Sequence, residues 1–160
     1  MYLWKVDSLV EDLKTGKVTQ KEELKYMLLF TMFFAFASDP VLYAGYSYNY
    51  YDTICYIVYI GISMLGTYYC FKINSSGDNK DFILRVMCIG LPVAIRVLAL
   101  LFSVACFWVI LKFFIFAPQS IEEEVFESSP IEVGVTSIFT AIYYWYLSKK
   151  IKAVSSKKAE

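Results

Sequence analysis

The chain has 160 residues, 58% hydrophobic and 19% aromatic, and its Lys and Arg residues balance Asp and Glu to a formal net charge of zero. Its mean hydropathy is +0.51, and its apolar content exceeds the roughly 45–50% typical of soluble domains. The charge balance argues against nucleic-acid binding, and the absence of histidine removes the commonest general base and metal ligand, so neither catalysis nor a cofactor or metal is expected.

In chain order, residues 1–18 come first. Leu3, Val6, Val10 and Leu13 recur there at helical spacing among charges, with Trp4 beside them. This predicts an amphipathic helix stopped by Gly16, after which Thr19-Gln20-Lys21-Glu22 has capping-box spacing for the next helix. Two readings fit the first helix. Either it lies on the cytoplasmic membrane surface and offers Leu3, Trp4, Val6, Val10 and Leu13 for docking, or it packs on the protein's own loops.

Stretches without Asp, Glu, Lys or Arg follow at 26–38, 53–71 and 133–147, and a longer apolar region at 82–117 carries only Arg85, Arg96 and Lys112. Unpaired backbone polar groups cost several kcal/mol in hydrocarbon, so such stretches are expected to be helical. The predicted fold is an all-α integral membrane protein, a four-transmembrane-helix bundle forming one domain with an amphipathic cytoplasmic helix at its amino terminus. Its spans are expected at about 25–45, 53–72, 86–112 and 131–148, followed by a basic tail at 149–160. Asp39-Pro40 interrupts the first span. An aromatic turn at 45–52 leads into the second, and a polar loop at 74–79 ends it. The third is predicted as one long helix kinked near Pro92, and an acidic loop at 118–130 precedes the fourth.

Lys and Arg flank the spans at the amino terminus, in the 72–85 connection and in the tail, and are absent from the loops at 45–52 and 118–130. The positive-inside rule then places both termini in the cytoplasm, which in a bacterium makes this an inner-membrane protein.

Charges inside apolar segments are the first functional candidates. Asp39 and Arg96 fall at depths where they form an ion pair or line a pathway, unless Arg96 snorkels to the inner surface; Lys112 and Glu132 belong at the outer interface. Gly90 with Ala94, Ala99 with Ser103, and Ser137 with Ala141 have the four-residue spacing of close helix packing, within the bundle or between copies. Cys55, Cys70, Cys88 and Cys106 lack metal-site spacing and read as buried free thiols. Intramembrane protease, Walker and dinucleotide patterns are missing. The expectation is a non-enzymatic membrane subunit, regulator or toxin-immunity type protein. Its partners would be the lipid bilayer and either its own copies or another membrane protein. The alternative is a small oligomeric channel or transporter.

Overall fold

The computed structural model describes residues 2, 4–37, 47–115 and 129–156, without the side chains of residues 34, 36, 37, 108 and 112–115. The described residues are helical and contain no strand: α1 (Val6–Thr15), α2 (Gln20–Ala37), α3 (Tyr50–Ser76), α4 (Phe82–Ile115) and α5 (Pro130–Ser155).

Local chemistry sets most of these boundaries. Gly16 closes α1 in the left-handed conformation at φ +67°, and the amide of Lys17 bonds back to the Asp12 carbonyl at 2.9 Å. At the start of α2 the Glu22 carboxylate accepts from the Thr19 amide at 3.2 Å, one half of the expected capping box. A second box was not foreseen in the aromatic turn. The Asn49 side chain accepts from the Tyr51 amide at 2.8 Å, and Asp52 accepts from the Asn49 amide at 2.7 Å. Ser129 caps α5 and Pro130 takes its first position, where the missing N–H costs nothing.

The α5 helix continues through Ser155, into residues assigned from sequence to a basic tail. Leu147, Ile151 and Val154 explain the extension. They recur at helical spacing and are each at most 1% exposed, so the last turns carry an apolar face that the chain itself covers.

Helices α3 and α5 pack most extensively and run parallel. A Cβ on Gly66 would meet the Tyr144 ring, and one on Gly77 would meet Ser155; the constant offset between these pairs fixes the direction. Helix α4 packs on α5 and on α2, with Gly90 against the Tyr143 hydroxyl. One core joins Val6 and Val10 of α1 to Cys70, Ile89, Val93, Leu147, Ile151 and Val154. A second joins Leu9 and Tyr26 to Cys88 and Leu91. Pro92 lies inside α4 and is buried.

Both cores occupy one end of the molecule. Beyond it the helices present apolar side chains outward. From Leu98 to Ile110, every described side chain of α4 except Leu101 is exposed, and three helical turns point in all directions. Among the described residues, two helices are long and apolar enough to cross a membrane, Tyr50–Ser76 and Phe82–Leu111. The core helix of a soluble protein can be as long and as apolar, but it is mostly covered. In these two only 6% of the most apolar stretch is buried. The structure thus carries two of the four expected spans on length and apolarity, and it weakly supports membrane association.

Candidate functional site

The packed end is assembled around α1. Its apolar residues Val6, Leu9 and Val10 insert among α2, α4 and α5, leaving the charged positions outside. Asp7 pairs with Lys150 at 2.5 Å, and the Lys14 ammonium donates to the Ser156 hydroxyl at 2.8 Å, so α1 runs alongside the last turns of α5 in the same direction. The Tyr2 amide donates to the Tyr26 hydroxyl at 2.6 Å and ties the start of the chain to α2. Of the two sequence readings, packing on the protein itself describes α1, against helices rather than loops. Val6 and Val10, expected on a docking surface, are 0% and 8% exposed and are already covered. Leu13 packs at the edge of both cores. Trp4 stays 64% exposed, and Leu3 lies outside the described residues.

Arg96 completes the clasp. Its guanidinium donates to the Tyr146 hydroxyl at 2.6 Å and to the Trp4 carbonyl, and it lies 5.9 Å from the Trp4 ring centre. Lys150 sits 5.1 Å from the Tyr146 ring while holding Asp7. That ammonium, with Arg96 farther off, holds the Asp7 carboxyl below the usual carboxylate range despite some desolvation. Arg96 therefore reaches toward the basic end of the molecule, as a snorkelling side chain does. Asp39 lies outside the described residues, as does the side chain of Lys112. Glu132 is exposed in the first turn of α5, where a carboxylate complements the helix dipole.

A second polar centre lies in the turn between α3 and α4. Arg85, only 6% exposed, donates through both terminal nitrogens to the Asp78 carboxylate at 2.5 Å each and to the Asn74 side-chain oxygen at 2.8 Å. The Asn74 side-chain nitrogen donates to the Lys80 carbonyl, and the Asp78 backbone N–H donates to the Ser155 carbonyl at the end of α5. Arg85 holds the Asp78 carboxyl below its ordinary range. This fork is bidentate, with Arg85 buried and Asp78 partly exposed, so losing the carboxylate would leave a buried guanidinium short of its partner.

The small-residue pairs separate into two kinds. Gly90 is buried and Ala94 half-buried at the α4–α5 contact, while Ala99, Ser103 and Ala141 are exposed and Ser137 is half-buried. Ser103 and Ser137 each bond back to their own helix, as does Thr140. The cysteines divide likewise. Cys70 and Cys88 are buried, Cys55 is half-buried and Cys106 is exposed, which corrects the expectation that all four are covered. Residues missed in the sequence include Leu9, Tyr26, Gly66, Arg85, Tyr146 and Lys150. Leu9 alone had a usable signal, being three residues from Val6 and four from Leu13 on the same helical face.

Positive charge is concentrated by this arrangement, with Asp7, Glu11, Asp12, Glu22, Glu23, Asp78 and Asp81 also at the packed end. Apart from Lys112, the described basic residues lie at or reach toward the packed end, whereas Asp52 and Glu132 open α3 and α5 at the other. The fold and site thus define a small all-helical protein with a polar, clasped end and an apolar remainder suited to lipid. No family model matches the sequence, and no curated protein or solved structure shows significant similarity to it.

Proposed function

We propose that the chain is a non-enzymatic, four-span membrane protein with its packed basic end in the cytoplasm, acting as a membrane subunit, regulator or toxin-immunity type partner. The observation that carries this reading is the outward-facing apolar surface of α3 and of α4 beyond Arg96. From Val97 to Ile115 the helix is roughly 28 Å long at about 1.5 Å per residue, close to the hydrocarbon thickness of about 30 Å. The segregation of positive charge supports the orientation. In a bacterium the compartment would be the inner membrane. Arg96 spends its hydrogen bonds on Tyr146 and Trp4, which favours a structural role for it over lining a pathway.

A topology reporter fused at Lys158 is expected to be active only in the cytoplasm, and one inserted at Gln119 only outside. Both on one side would remove the four-span reading. The purified chain in planar bilayers should be silent, and crosslinking in native membranes should retrieve a specific membrane partner or a second copy. Conductance that changes with Arg96→Gln would replace this reading with a channel.

A further inference from the structure

One exposed face of α5 changes character in a fixed order along its length. Gly134, Ile138, Ala141, Trp145, Lys149 and Lys152 recur at helical spacing and are all exposed. The order is apolar, then indole, then two ammonium groups, the same order a lipid presents as acyl chain, glycerol region and headgroup phosphate. Gly134 has nothing within 4 Å of where a Cβ would be, so the upper face is open. Lys149 is held 3.6 Å over the Trp145 ring, which positions its ammonium at the boundary between the two zones. Lys152 follows one turn beyond, and among the described residues no ion pair or hydrogen bond engages its ammonium. Lys150, between them in sequence, faces inward and is neutralised by Asp7.

We infer that this face seats an anionic phospholipid of the leaflet at the basic end, with its chains along Ile138 and Ala141 and its phosphate against Lys149 and Lys152. Charge complementarity selects the occupant. Among the described residues neither exposed lysine has a carboxylate partner, and the surface leading to them is apolar. The proposal rests on the membrane reading above and adds the lipid class and the residues that recognise it. Each lysine near a charged headgroup layer contributes enough to change occupancy severalfold.

The test uses the full chain, reconstituted in phosphatidylcholine vesicles with and without phosphatidylglycerol, and native mass spectrometry of the lipid retained after extraction. The wild type should retain phosphatidylglycerol over phosphatidylcholine by roughly tenfold, and Lys149→Gln with Lys152→Gln should bring the ratio near parity. Lys17→Gln with Lys21→Gln removes equal charge from the same end and should leave the ratio unchanged. Inorganic phosphate at millimolar concentration should not displace the lipid; displacement would identify a site for free phosphate and overturn the lipid seat. Equal retention of both lipids by the wild type, or loss of preference in the Lys17/Lys21 variant, would also overturn it. Alkaline extraction reads the membrane reading separately. A chain released by alkali sinks both ideas, whereas a chain that stays inserted without lipid preference sinks only this one.

Discussion

Gly66 shows how much a single hydrogen atom decides. A Cβ there would lie 2.3 Å from Cγ of Tyr144, so the parallel contact of α3 and α5 requires glycine. Gly61, one and a half turns earlier, has nothing within 4 Å. Gly66→Ala should therefore cost about 1–3 kcal/mol from overpacking, whereas Gly61→Ala should be neutral or slightly stabilising through helix propensity. Thermal melting of both in detergent checks this, and equal melting temperatures would show that the Tyr144 contact does not constrain α3. Arg85 offers a second residue-scale test. Asp78→Asn leaves the buried guanidinium without its carboxylate and should cost about 3–5 kcal/mol. Because Arg85 lowers the Asp78 pKa below 3.8 in the fold, the pair's contribution is complete above the unfolded value. It is lost as pH falls through the lowered one. Amide exchange in the α3–α4 turn should accordingly be insensitive to pH near neutrality, after correction for intrinsic rates, and accelerate only below about pH 4. Loosening between pH 8 and pH 6 would point to another group.

The amino-terminal helix illustrates the element scale. Ten residues are too few to hold helical structure alone in water, so α1 depends on what it covers. Leu9 is 0% exposed, and Leu9→Ala should cost about 2–5 kcal/mol and open α1 to protease while α3 to α5 stay folded. Trp4→Ala should have a smaller effect, because its ring is largely exposed and its carbonyl remains for Arg96. Limited proteolysis followed by mass mapping distinguishes them. Unchanged protection in the Leu9 variant would mean that the Leu9 contact is not what holds α1 in place. The polar ties of α1 to Lys150 and Ser156 were hidden in the sequence because Asp7 and Lys150 stand at opposite ends of the chain.

At the scale of the whole molecule, the decisive feature is that exposure and apolarity coincide away from the packed end. Cys106 is exposed in the fold and sits within the apolar length of α4. In intact membranes it should resist a charged, water-borne maleimide and react once SDS is added, while Cys70 and Cys88 should resist until denatured. Prompt labelling of Cys106 in membranes would place α4 in water and end the membrane reading.

Helix type and rough position were legible from charge-free stretches, because hydrophobic period and length act locally and need no partner. The stops at Gly16 and the start at Thr19 were legible for the same reason, a cap being made by neighbours in sequence. Three outcomes depended on helices meeting in space: the burial of Val6 and Val10, the bond from Arg96 to Tyr146, and the close approach at Gly66. The amphipathic pattern of α1 is the same whether lipid or protein covers it, since both are apolar. Only the tertiary structure could decide which, by bringing α5 alongside and extending it through Ile151 and Val154 to supply the covering face.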